Sequence, residues 1–151
     1  MKKITWNSPV VLCYLVICLI ATILGILTNG ASTKLLFSTY RSSWVDPLTY
    51  LRLFTHVAGH SGWEHFIGNA SFLLLLGPML EDKYGKRKMI EVILCVALVS
   101  GIANNLFFPH TMLSGASGVV FAWILLTSFT SFREGEIPIP VIRVAVIFLG
   151  K

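Results

Sequence analysis

Long apolar runs alternate with short clusters of charge along this chain. The first run, Pro9 to Thr28, carries no charged residue. The hydrocarbon core of a bilayer is about 30 Å thick, so a spanning helix needs about 20 mostly apolar residues. The pattern therefore predicts spans over about 9–28, 62–80, 89–108 and 117–132. The second ends at Glu81-Asp82-Lys83, the third follows Lys86-Arg87-Lys88, and the fourth ends before Arg133-Glu134-Gly135-Glu136. A fifth begins near Pro138 and Pro140, residues suited to a first helical turn. After Arg143 it offers only Val144 to Gly150 before Lys151, too few to cross. Residues 140–151 thus read as a partial helix, and the chain as C-terminally truncated.

Two ends of this pattern need separate treatment. Lys2 and Lys3 before an apolar run resemble a signal peptide. The run exceeds the roughly 7–15 residues of a signal core, and Asn29-Gly30-Ala31 makes a poor cleavage site, so an uncleaved helix is expected. Residues 30–61 form a long loop in which Lys34, Arg41, Asp46 and Arg52 are scattered among Phe37, Tyr40, Trp44, Tyr50, Leu51 and Phe54. So many aromatics argue for a folded segment held at headgroup level rather than disorder. No internal repeat is evident, and the chain reads as a single membrane domain over residues 1–151.

Composition agrees with this picture. Hydrophobic residues make up 55% of the 151, charged residues 13%, and mean hydropathy is +0.77. Globular domains carry roughly 25% charged residues, so a water-facing surface could not be covered here. Cys13, Cys18 and Cys95 all lie in apolar runs without metal-like spacing, and read as lipid-facing or packed thiols. The net charge of +5 could suggest nucleic acid, but the basic residues flank apolar runs instead of forming a patch. No nucleic-acid partner is expected, and the bilayer is the expected environment. With the N-terminus inside, the inner segments hold Lys2, Lys3, Lys83, Lys86, Arg87, Lys88 and Arg133. The outer segments hold only Lys34, Arg41 and Arg52, so the count favours a cytoplasmic N-terminus and an outer first loop. The plasma membrane is the expected location.

Polar groups inside spans are costly and are functional candidates by default. The second span carries Glu64, His65 and Asn69; the fourth opens on Ser114-Gly115-Ala116-Ser117-Gly118. At about 1.5 Å of rise per residue, His65 lies about 23 Å above Leu80, and Ser117 about 23 Å above Phe132. Asn69 comes out near ~17 Å and shares a helix face with His65. Three polar side chains therefore fall at similar depth below the outer surface. The fourth span is also short, about 24 Å, so its N-terminal N–H groups would be recessed. Such donors need a wet cavity or a ligand, and beside a serine they could stabilise an oxyanion.

Plainer roles exist for each residue. Ser117 could be a helix cap or a small packing residue, and His65 with Asn69 could be interhelical hydrogen-bond glue. His56 and His60 have the spacing of a zinc pair, but the zincin pattern needs Glu after the first His and Val57 stands there. His110 and Asn104-Asn105 look like loop residues. Nothing calls for a metal or an organic cofactor.

Taken together, these residues resemble the rhomboid family of intramembrane serine proteases. The resemblance runs through Leu51-Arg52-Leu53-Phe54-Thr55 and His60-Ser61-Gly62-Trp63-Glu64-His65-Phe66-Ile67-Gly68-Asn69. It continues with Gly77, Glu81, Gly85 and Gly115-Ala116-Ser117-Gly118-Val119-Val120-Phe121-Ala122. An HxxxN and a GxSG motif, in this order on successive spans, are specific together and weak apart. The resemblance implies an all-α, polytopic transmembrane bundle with about five of six core helices present, the fifth incomplete. It implies that Ser117 attacks the scissile carbonyl, and that the Ser117 N–H with His65 and Asn69 stabilises the oxyanion. His60, Arg52 and Glu81 would hold the outer loop and helices in place, while Gly115 and Gly118 permit close approach. The implied substrates are transmembrane segments of other membrane proteins, cut near the outer surface.

Two departures stand out. Leu51-Arg52 replaces the family's Trp-Arg pair. More seriously, the family's base is a histidine on its sixth helix, and all four histidines here, His56, His60, His65 and His110, precede Ser117. A serine needs an adjacent base to become nucleophilic. The 151-residue chain is therefore expected to be inactive alone and active within a longer protein. A non-cleaving relative that binds transmembrane helices is one rival. A transporter or channel fragment is another, although that class places its polar residues nearer the midplane.

Overall fold

The computed structural model describes residues 8–133, and all helices below belong to that range. They are α1 (Pro9–Leu27), α2 (Ala31–Leu36), α3 (Pro47–Thr55), a 3₁₀ turn (His56–Ala58), α4 (Trp63–Phe107) and α5 (Ser117–Arg133). Among the described residues there is no strand, only an isolated bridge between Thr39 and Leu113. The all-helical class expected from the apolar runs is the observed one. The stretch expected over 140–151 lies outside the described residues.

The charge cluster Glu81-Asp82-Lys83 was expected to end the second span, and it does not end the helix. The helix runs on through it, and the break comes at Gly85, whose φ of 82° and ψ of 162° lie where side-chain-bearing residues rarely go. Charges end an apolar run without ending helical hydrogen bonding; a left-handed residue interrupts it. The two halves of α4 then run antiparallel. Residues near both of its ends meet the same segment: His56 Nε2 pairs with the Ala97 carbonyl, and the His60 ring packs edge-on against His65 at 5.0 Å.

α1 and α5 complete the bundle against α4. Val11, Leu73, Leu76, Leu80, Met89, Ala97, Val120 and Trp123 form its buried core. Gly77 marks a close crossing, since a Cβ there would sit 2.7 Å from Val11 and 2.9 Å from Trp123. At the end remote from Ser117, the buried Glu81 carboxylate accepts the Val10 and Val11 N–H groups, both at 3.0 Å. It thereby satisfies donors that the first turn of α1 leaves unpaired.

The segment between α1 and α4 is folded. Asp46 caps α3 by accepting the Leu48 N–H at 2.9 Å. Buried Arg52 donates from Nε to the Leu35 carbonyl at 2.8 Å, reaches Asp46 at 3.8 Å, and lies 4.8 Å above the Tyr40 ring. Thr39 and Leu113 exchange two backbone hydrogen bonds of 2.9 Å, tying this segment to the loop that delivers α5. Asn104 and Asn105 correct a further expectation: they are buried helix residues, not loop residues. Asn104 binds the Thr111 backbone and hydroxyl, and Asn105 accepts from the Thr39 hydroxyl at 3.1 Å. They fasten both loops around the mouth of the bundle.

Candidate active site

The loop into α5 is anchored before it reaches Ser117. The Gly115 N–H donates to the His56 carbonyl at 2.8 Å, and Gly115 adopts φ of +119°, outside the range of ordinary side-chain-bearing residues. That turn presses the backbone against the first half of α4. A Cβ on Gly115 would lie 2.8 Å from Cε1 and Nε2 of His65, and 3.7 Å from Nδ2 of Asn69. His65 and Asn69 are one helical turn apart, so one face of α4 presents both to the residues just before Ser117.

Ser117 is half-buried and opens α5 after Ala116, whose carbonyl accepts the Val120 N–H at 2.9 Å. Residues in this first turn have backbone N–H groups without intrahelical partners, and the helix dipole is positive there. Buried Asn69 adds a further donor: its Nδ2 has no hydrogen-bond partner among the described residues. An unpaired buried amide costs roughly 1–3 kcal/mol, which only an arriving acceptor would recover.

His65 is oriented from its other side. The Ser61 hydroxyl lies 3.3 Å from His65 Nδ1. With Ser61 donating, Nε2 carries the proton and offers an N–H toward Gly115. Ser61 was not singled out in the sequence, although its position four residues before His65 was a usable signal. His60 stands behind. Its Nδ1 faces the Ala58 carbonyl at 3.0 Å and so donates, which leaves Nε2 to accept the Ala116 N–H over a long 3.5 Å. Burial, with the neighbouring His65, lowers the His60 pKa to about 4, so this ring is neutral at physiological pH. Burial also lowers that of His56. The two rings point at different partners, the Ala97 carbonyl and the Ala116 N–H.

His65, Asn69 and His60 therefore meet the backbone of Gly115 and Ala116, the two residues before Ser117. Gly118 does not join them; its nearest neighbour would be Val96 on the second half of α4, at 3.4 Å. Arg52 belongs to the folded loop, and Glu81 lies sixteen residues along α4 from His65, about 24 Å away. The cluster sets N–H donors against the backbone two residues before a serine, an arrangement that suits stabilising negative charge on an oxygen.

The family profile described as "Rhomboid domain" matches residues 47–150. Rhomboid-related protein 2 of the mouse (Mus musculus) is 30% identical over 115 residues, covering 69% of this chain and 38% of that protein. Rhomboid protease GluP of Bacillus subtilis is 29% identical over 97 residues, covering 62% of this chain and 19% of that protein. The chain thus spans less than two-fifths of either relative.

Proposed function

From the premise that this chain belongs to the rhomboid family, and is therefore an integral membrane protein, we propose that it is the nucleophile-bearing part of an intramembrane serine endopeptidase. Ser117 attacks the scissile carbonyl of a transmembrane segment. The developing oxyanion receives the Ser117 N–H, Asn69 Nδ2 and His65 Nε2–H. Protein-like donors of this kind each contribute on the order of 3–4 kcal/mol in acyl transfer. The observation that carries the reading is the packing of His65 and Asn69 against Gly115, two residues before the serine, with the Asn69 amide unpartnered.

Transfer of the Ser117 proton needs a base. His60 Nε2 is engaged by the Ala116 N–H, and His65 serves as a donor. No histidine follows Ser117 in the 151 residues, and this reading therefore requires a base from outside them. In this reading the N-terminus is cytoplasmic, the membrane is the plasma membrane, and the site opens toward the outer surface. One observation, the absence of a histidine after Ser117, favours a second reading: a non-cleaving protein that binds transmembrane helices.

A fluorescent transmembrane reporter distinguishes them. The 151-residue chain leaves the reporter intact, its full reading frame cleaves it, and Ser117→Ala in that frame abolishes cleavage. Cleavage that persists in Ser117→Ala removes the serine from the mechanism, and no cleavage by the full frame selects the non-cleaving reading.

A further inference from the structure

A second concave feature lies at the opposite end of the bundle from Ser117, on the lipid-facing side of α1. Pro9, Val10, Cys13, Tyr14 and Ile17 form one wall of a groove of about 400 Å³, and Lys86, Ile90, Ile93 and Leu94 of α4 form the other. Both sets recur at helical spacing, so each helix gives one continuous stripe. Each stripe covers eight residues of rise, about 12 Å. Ile17, Ile90 and Leu94 are about half exposed, at 53%, 47% and 47%, so the groove is open along its length.

The only charge among the described lining residues is Lys86, at the mouth, just beyond the Gly85 break. Its neighbours Arg87 and Lys88 are engaged elsewhere, sharing the single carboxylate of Glu91 at 3.0 and 2.9 Å. Lys86 makes no ion pair with the described residues. Glu81, which meets the Val10 N–H beside the groove, is turned into the bundle on the start of α1. The lining is thus apolar throughout, with one uncompensated cation where the helices leave the hydrocarbon. Two helical turns is too short for a spanning partner helix and suits a single chain. Basic pockets between transmembrane helices attract anionic headgroups.

We propose that this groove binds an anionic phospholipid, its acyl chain between α1 and the second half of α4 and its phosphate on Lys86. The site is separate from Ser117 and does not depend on proteolysis. Two exposed cysteines make it testable in the intact chain: Cys13 lines this groove, and Cys95 lines a different one, between α4 and α5.

Maleimide labelling is followed in detergent with phosphatidylglycerol, phosphatidylcholine of the same chains, or inorganic phosphate. Phosphatidylglycerol slows Cys13 labelling roughly fivefold more than phosphatidylcholine does, the ratio that about 1 kcal/mol per lysine beside an anionic surface converts to. Cys95 labelling does not distinguish the two lipids. Lys86→Gln abolishes the difference at Cys13, whereas Lys88→Gln, with the same change in net charge, retains it. Native mass spectrometry finds fewer bound phosphatidylglycerol molecules on Lys86→Gln than on Lys88→Gln. Equal protection by both lipids, equal effects of the two variants, or full protection by inorganic phosphate alone overturns the proposal.

Discussion

Gly115 lies directly against the imidazole of His65: a Cβ at position 115 would come within 2.8 Å of the ring. The contact forces the backbone leading to Ser117 onto the helix face that carries His65 and Asn69. It also explains why glycine is needed twice over, since φ is +119° as well. Gly115→Ala is expected to lose about 1–3 kcal/mol through strain and overpacking. Unfolding in mixed micelles measures this, with Gly68→Ala, where the added methyl meets nothing, as the reference.

Asn69→Ala should damage chemistry more than stability. Its Nδ2 has no partner to lose at rest, so unfolding changes little. In the cleaving full-length frame, kcat falls about 10²–10³-fold, the usual effect of removing one oxyanion donor. Ser61→Ala acts through His65 and gives a smaller loss. Steady-state cleavage kinetics separate these effects, which should fall on kcat rather than KM.

Glu81 secures the start of α1 from the far end of the bundle. Glu81→Ala leaves the Val10 and Val11 N–H groups unpaired and should cost about 1–3 kcal/mol. Hydrogen exchange at those two amides should rise in the variant while exchange around Ser117 stays the same.

Acid should loosen the site through His60. Its folded pKa, about 4, lies below the ordinary 6.5, so the unfolded chain binds more protons between those values. The stability it contributes is fully present above pH 6.5 and is lost as pH falls toward 4. Protonation would also set an N–H against the Ala116 N–H. Thermal unfolding from pH 7.5 to 4.5 should show this slope, reduced in His60→Asn. Some slope remains from His56, whose pKa burial also lowers.

The length of the apolar runs made the helical class legible, because a run of apolar residues the thickness of a bilayer has few other uses. The observed Pro9–Leu27 helix lies on one such run, and Ser117–Arg133 on a shorter one. The continuation of α4 to Gly85 was not legible, because hydropathy reports the membrane boundary and not the helix end. Asn104 and Asn105 were misjudged for a similar reason: polarity near a span's end looks like a loop, and only the fold brings Thr39 and Thr111 to them. The depth of His65, Asn69 and Ser117 could be counted from helical rise. Their facing could not, because it depends on the rotation of two helices. Only the φ of Gly115 and the neighbours of its missing Cβ expose that rotation.

A nuclear Overhauser measurement on the chain, with histidine, asparagine and glycine selectively labelled, tests the facing of those helices most directly. Cross-peaks from Gly115 Hα to His65 Hε1 and to the Asn69 side-chain amide are predicted, with the His65 peak missing in His65→Ala. A His65 ring and an Asn69 amide that show contacts to detergent and none to Gly115 would contradict the account.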